Sequence, residues 1–426
     1  MHLRDWDFNL KIRLAGEMLV NITFWMFFPF LAIYFTESFG KTAAGFLLIL
    51  SQVFSVVANI LGGYCADRFG RKKMMVLSSI GQGIAFLLFA YASSPWLESP
   101  ILGFICFTFV SIFGSFYWPA SQAMVADVTD EKHRNSVFAV FYTSINIAVV
   151  IGPILGGIFY AEHRFELLLM ASILNVALGL VLGKWISETA PPFQAVEASG
   201  TNKNWYLFLL HQLRDYKVII RDKTFLLFIL AGVLVGQTFM QLDLLIPVYV
   251  KETVQPQTLF SFGGSWSVDI GGEQLFGFLI AENGFLVALL TIVITKWMSL
   301  YQEKNVFIIS SLIYGASMVL FGLTSWVWGL ILSMAVFTLA ELMTAGIQQG
   351  FISKLAPENM RGQYFAAASL RYTLGRTIAP IAIPMTEWMG YMWTFTTLCV
   401  FTLLSALLYS IMFRRFDKEK GLQHAI

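Results

Sequence analysis

Five ionisable side chains stand where apolar sequence surrounds them: Asp243, Glu282, Glu341, Arg371 and Arg376. Each lies well inside an apolar block of roughly 20 to 28 residues, long enough to cross about 30 Å of hydrocarbon as a helix with some tilt. A charge at the centre of such a helix costs about 2.5 to 3.5 kcal/mol, so five unpaired and facing lipid would cost roughly 15. They are therefore expected to face one another or a watery cavity. Pairing acid with arginine for helix registry answers for part of the set, yet three acids against two arginines leave an acid unmatched. Desolvation favours the protonated carboxyl and a nearby arginine favours the ionised one, so an acid moved between dry and wet surroundings can load and release a proton. None of the five histidines lies mid-span, which leaves carboxylates as the expected proton carriers. Glu17 stands nearer the inner end of the first block.

The elements that position these charges follow from composition. With 57% hydrophobic and 13% charged residues, the 426-residue chain does not match a water-exposed surface. Twelve spans are predicted at 12–37, 41–66, 74–94, 100–126, 136–160, 166–187, 224–250, 273–297, 305–324, 327–354, 362–387 and 391–413. Placing both termini in the cytoplasm puts 23 of the 28 basic residues inside, Arg13 among them, and only Lys41, Arg164 and Lys251 outside. So lopsided a division supports both the count and the orientation. A formal net charge of +2, dispersed between spans, gives no nucleic-acid surface. Cys65, Cys106 and Cys399 fall in or beside apolar blocks without ligand spacing, so neither disulfides nor a metal site are expected. The first block is too long and its leader too charged for a signal peptide.

Three segments are expected: a six-helix bundle at 1–187, a cytoplasmic linker at 188–223, and a second bundle with a short tail at 224–426. The linker carries Trp205, Phe208, Leu209, Leu213, Tyr216 and Ile220 at helical spacing among Arg214, Lys217 and Arg221, as a helix lying on a membrane surface would. The longest outside loop, 252–272, holds Gly263-Gly264 and Gly271-Gly272 and is assigned no chemistry. A shift of 227 aligns Gln122, Glu131, Arg134, Phe138-Ala139 and Pro153 with Gln349, Glu358, Arg361, Phe365-Ala366 and Pro380. Another of 232 aligns Lys72 and Ser78-Ser79 with Lys304 and Ser310-Ser311. Six spans separate the copies, so they are parallel repeats, as in transporters that rock two halves about a midplane site.

Between the second and third spans stands Gly63-Tyr64-Cys65-Ala66-Asp67-Arg68-Phe69-Gly70-Arg71-Lys72-Lys73. Basic residues beside a turn would anchor any inside loop, but this order closely resembles the signature of the major facilitator superfamily. That resemblance covers the whole chain and implies an all-α membrane fold of two pseudo-symmetric six-helix bundles. It also implies that Gly63, Asp67, Arg68, Gly70 and Arg71 belong to a latch that holds the halves in the outward-facing state. Ser299 stands where Asp67 would repeat, so such a latch is asymmetric. In the fifth span, Ala148 to Gly157 supply small residues for close packing, with Pro153 expected to kink the helix. Gly152, Pro153, Gly156 and Gly157 also resemble the motif of proton-coupled exporters in the superfamily, with Ala148 replacing its leading glycine.

The stretches Gln241 to Pro247, Leu339 to Leu342 and Arg221 to Phe225 resemble those of the LmrP-type multidrug/proton antiporters. This likeness implies protonation and cation recognition at Asp243 and Glu341. Glu282, Arg371 and Arg376 are departures from that pattern, as are Phe141 and Tyr142 where a further acid would be expected. Trp25, Phe28, Tyr117, Phe141 and Tyr142 are candidate cavity aromatics, suited to flat lipophilic cations. The expected function is proton-coupled export of hydrophobic, cationic small molecules by alternating access, from a bacterial plasma membrane, by a monomer. Its partners are the bilayer, a lipophilic substrate and protons; the proton gradient drives it and no cofactor is implied. Arg371 and Arg376 could instead bind organic anions or amphipathic metabolites. An intramembrane hydrolase lacks a nucleophile motif, metal spacing or nucleotide loop, and a sensor lacks an effector domain.

Overall fold

The computed structural model describes residues 6–189, 222–262, 266–356, 364 and 367–423. The predicted linker helix thus falls outside the described residues, as does Arg361. Ten helical stretches among the described residues are long and apolar enough to cross a membrane. A further apolar stretch, Thr143–Phe159, belongs to the helix Glu131–Phe159. The last stretch, Leu370–Glu419, is two spans, because Gly390 breaks it with a φ of 81°. This is the all-helical, twelve-span architecture expected from the apolar blocks.

Local chemistry sets where the helices begin and bend. Asp7 caps the first helix, Phe8–Phe27, by accepting from the Asn9 N–H at 2.8 Å, and Asp222 caps Lys223–Phe239 by accepting from Phe225 N–H at 2.9 Å. Gly70, with φ 106°, is the whole connection between Lys41–Phe69 and Arg71–Ala92; only glycine enters that region without strain. Prolines interrupt two spans: Pro29 lies in the 3-10 turn Phe28–Phe30, and Pro380 in Ala379–Ile381. By contrast the helix Glu131–Phe159 runs on past Pro153 as one element.

The chain divides into two compact units, Met1–Phe39 with Leu50–His211, and Gly40–Ile49 with Gln212–Ile426. The second unit thus takes in the first nine residues of the second span, a grouping that an apolar-block reading could not anticipate. Within each unit, serine hydroxyls tie spans to one another's backbone. Ser172 donates to Gly83 O at 2.8 Å, Ser310 to Ala340 O at 2.7 Å, and Ser405 to Ala231 O at 2.9 Å. Such bonds contribute about 0.6 kcal/mol each where lipid offers no hydrophobic drive between helices. Phe225, Phe228, Phe307, Phe351, Tyr409 and Phe413 pack one end of the second unit.

The loop assigned no chemistry from sequence contains an antiparallel hairpin, Gln257–Phe262 with Trp266–Ile270. Thr258 donates across it to Asp269 Oδ1 at 2.7 Å. Gln257 fastens it to the connection between the ninth and tenth spans, donating to Ser325 O at 2.9 Å and accepting from Val327 N–H at 3.2 Å.

Candidate functional site

Helix breaks position the acids of the second unit. The seventh span stops as an α-helix at Phe239, makes a 3-10 turn over Met240–Leu242, and restarts at Leu245. Asp243 ends that turn, half-buried, and its Oδ1 is buried without a hydrogen-bond partner among the described residues. Arg376 is the cation whose charge acts on Asp243, but no ion pair within 4 Å joins them. Glu341, half-buried on the tenth span, receives a hydrogen bond at 3.0 Å from Asn283 Nδ2 on the eighth span. Asn283 also donates to Thr338 Oγ1 at 3.0 Å. Asp243 and Glu341 feel one another's charge, so the structure brings together Asp243, Glu341 and Arg376.

Glu282 stands apart from that group. It is half-buried one residue before Asn283, its Oε2 is buried and unpartnered, and no described charge acts on it. Gln241, fully buried, holds the two broken spans in register: its Nε2 donates to Gln237 O at 2.9 Å and to Ala379 O, in the eleventh-span turn, at 3.1 Å.

The two eleventh-span arginines differ. Arg371 is 2% exposed and threads past Gly232, where a Cβ would come within 2.2 Å of its Cδ. Its Nε donates to Ala368 O at 2.9 Å, and its guanidinium lies 4.4 Å from the Phe228 ring centre. Arg376 is exposed. Packing has committed the first; the second is open.

In the first unit the predicted latch residues form a knot. Arg71 Nη2 pairs with Asp67 Oδ1 at 3.0 Å and Nε with Asp127 Oδ2 at 3.1 Å. Glu188 Oε1 accepts the backbone N–H of Arg71 at 2.8 Å and of Lys72 at 3.3 Å, capping the third span. Gly70 makes room for it, since a Cβ there would lie 2.3 Å from Glu188 Oε2. Arg68 lies 5.8 Å from the Tyr64 ring centre, and Gly63 faces open space. The fifth-span motif packs on the first span: a Cβ on Gly152 would meet Trp25 Cβ at 2.5 Å, and one on Gly156 would meet Met26 O at 2.1 Å. Pro153 and Gly157 are buried.

The candidate aromatics separate. Trp25 and Phe28 are half-buried, with ring centres 5.7 Å apart, beside Phe24 stacked on Phe28 at 4.7 Å. Tyr117 donates to Glu17 Oε1 at 2.7 Å, and Phe141 is buried between Trp6, at 6.2 Å, and the Arg13 guanidinium, at 5.1 Å. The Tyr142 side chain falls outside the described residues. Arg13, counted with the cytoplasmic residues, is 1% exposed and pairs with Glu17 at 2.9 Å, because the helix begins at Phe8 and draws it into the bundle. It also donates to Ser121 Oγ. The four-residue spacing of Arg13 and Glu17 was the signal available for this pair; Asn283 and Gln241, neutral amides in apolar blocks, gave a weaker one.

The sequence profile of the Major Facilitator Superfamily matches residues 14–268 and 257–425. A protein of Planococcus maritimus named a Na(+), Li(+), K(+)/H(+) antiporter is 58% identical over 422 residues, covering 98% of this chain and 99% of the relative. The multidrug resistance protein MdtH of Shigella boydii is 22% identical over 373 residues, 86% of this chain and 84% of its own. Among solved structures, a POT family transporter in complex with 5-aminolevulinic acid superposes with a TM-score of 0.75 at 18% identity, over 94% of this chain and 95% of its own; it supports the fold alone. With an all-helical, multi-pass fold, the chain belongs to the Major Facilitator Superfamily and is a membrane transporter rather than an enzyme.

Proposed function

We propose that the protein exchanges protons for monovalent cations across the plasma membrane by alternating access, with Asp243 and Glu341 as the shared acceptors. The observation that carries this reading is the buried, unpartnered Oδ1 of Asp243 beside a second acid, with Arg376 the cation acting on it from more than 4 Å away. A carboxyl so placed is stable when it holds a proton or when a cation sits against it. Competition between the two for the same oxygens supplies the coupling free energy. The bilayer and the proton gradient are then the only further requirements.

Alkali cations, which take oxygen ligands, suit a group made of two carboxylates and the amide of Asn283. The relative at 58% identity points the same way, since its name states exchange of sodium, lithium and potassium for protons. Lipophilic cations are the second reading, favoured by the half-buried patch of Phe24, Trp25 and Phe28 and by the likeness to a multidrug resistance protein. Organic anions are not favoured, because Arg371 is already engaged with Ala368 and Phe228. The latch role of Asp67, Arg68 and Arg71 remains part of this reading, with Arg71 as the hub.

The test uses purified protein in vesicles holding a pH-sensitive dye and an imposed proton gradient. Adding sodium, lithium or potassium outside should dissipate the gradient, with apparent cation affinity rising as pH rises because fewer protons compete. A lipophilic dye cation in place of the metal separates the two substrate readings. Vesicles no faster than protein-free controls with either would end the proposal.

A further inference from the structure

A groove between the third and sixth spans of the first unit takes no part in the transport chemistry above. It holds about 320 Å³ and is lined by Lys72, Lys73, Val76, Leu77 and Ile80 of one span and Gly183 of the other. Positions 73, 76, 77 and 80 recur at three and four residues and so form one stripe along a helix face. From Lys73 to Ile80 the stripe runs about 10 Å along the axis. Gly183 keeps the groove open: a Cβ there would meet nothing nearer than the Val76 methyls at 3.9 Å, so the wall is low rather than tightly packed. Leu77 is 61% exposed, as a lipid-facing residue would be.

The mouth is cationic. Neither Lys72 nor Lys73 forms an ion pair with a described residue, whereas the neighbouring Arg71 is taken by Asp67 and Asp127. Glu188 Oε1 accepts the backbone N–H groups of Arg71 and Lys72 and makes no ion pair with either lysine. Lys184 and the half-exposed Trp185 end the sixth span on the same side, the ammonium 5.3 Å from the ring centre. Lysines and a tryptophan at the end of a span mark headgroup depth. An apolar slot whose lining begins with two lysines that make no ion pair among the described residues matches a hydrocarbon chain joined to a phosphate.

We propose that this groove binds an anionic phospholipid, its acyl chain along Val76, Leu77, Ile80 and Gly183 and its phosphate on Lys72 and Lys73. A zwitterionic lipid fits the slot equally but brings its own cation to the mouth, so the selectivity lies in the lysines. Because the third span starts at the Gly70 knot, the headgroup would sit one residue from Arg71, and membrane composition would bear on that knot.

Native mass spectrometry of the full-length protein, offered phosphatidylglycerol and phosphatidylcholine in equal amounts, tests this. Wild type should retain phosphatidylglycerol about 25-fold more than phosphatidylcholine, since each of the two juxtamembrane lysines adds about a fivefold preference. The Lys72→Gln, Lys73→Gln pair should bring that ratio near unity while the corresponding Lys→Arg pair preserves it. Gly183→Leu, which fills the slot and leaves the charges, should lower retention of both lipids. Millimolar inorganic phosphate should not displace the lipid. Equal retention by wild type, an unchanged preference in the glutamine pair, or displacement by free phosphate would each overturn the proposal.

Discussion

The two units treat a membrane-buried carboxylate and arginine in opposite ways. In the first, Glu17 Oε1 receives Arg13 at 2.9 Å and Tyr117 at 2.7 Å, and Phe141 closes over the guanidinium. In the second, Asp243 has an oxygen with no donor, and the arginine that acts on it stays beyond ion-pair distance. A carboxylate saturated with donors has no reason to exchange what it holds. One left short of partners must take a proton or a cation from water. The contrast separates a pair that fixes the helices from a group able to carry charge.

The largest effect should come from the second unit. Asp243→Asn and Glu341→Gln each remove an exchangeable charge at nearly constant shape, and cation-driven proton movement in vesicles should fall at least tenfold while the protein remains folded by circular dichroism. Full exchange in both variants would break the comparison at its centre. In the first unit the expected loss is stability. Arg13→Ala leaves Glu17 without its cation and should cost about 3 kcal/mol, read as a lowered melting temperature in detergent. Pairing Arg13→Met with Glu17→Leu should recover much of that, because an apolar pair of similar volume removes the desolvation penalty altogether. If the double variant melts no higher than the single one, the pair does more than hold helices together.

Much of this was legible from residue order. The apolar blocks located all twelve spans because hydrocarbon demands uninterrupted helices of a set length, and the cost of intramembrane charge singled out Asp243, Glu282, Glu341, Arg371 and Arg376, of which Asp243, Glu341 and Arg376 feel one another's charge. What escaped depends on rotation about the helix axis, which block-level hydropathy does not register. Arg13 looked like an anchor because it sits at a span end; only the helix start at Phe8 turns it inward. Arg371 and Arg376 looked equivalent, five residues apart, yet one lies under Gly232 and the other is exposed. The hairpin of Gln257–Phe262 with Trp266–Ile270 escaped because two short strands in a loop between spans leave no mark on block-level hydropathy.

A middle-sized effect sharpens the role of the neutral side chain that donates to Glu341. Asn283 donates to Glu341 and Thr338, and Asn283→Ala would strip a donor from a carboxylate in low dielectric. Bonds to charged groups contribute about 1.5 to 3 kcal/mol, so apparent cation affinity should weaken about tenfold. The maximal exchange rate should change little, since the amide orients the acid without carrying charge itself. A fall in rate with affinity intact would instead place Asn283 in the proton path.

The smallest expected effect lies on the aromatic patch of the first span. Trp25→Ala removes a ring that contacts Phe28 and Phe24 and faces Gly152 with its backbone and Cβ. If the carried cation is a metal ion held by oxygen atoms, exchange with sodium should change by less than about twofold, because the ring supplies none of its ligands. If flat lipophilic cations are carried, their transport should fall by several-fold in the same preparation while sodium exchange holds. The ratio of the two activities in one variant therefore reads substrate class directly. A parallel loss of both would show that the ring serves the packing of the first span against the fifth, and the half-buried patch would then say nothing about substrate.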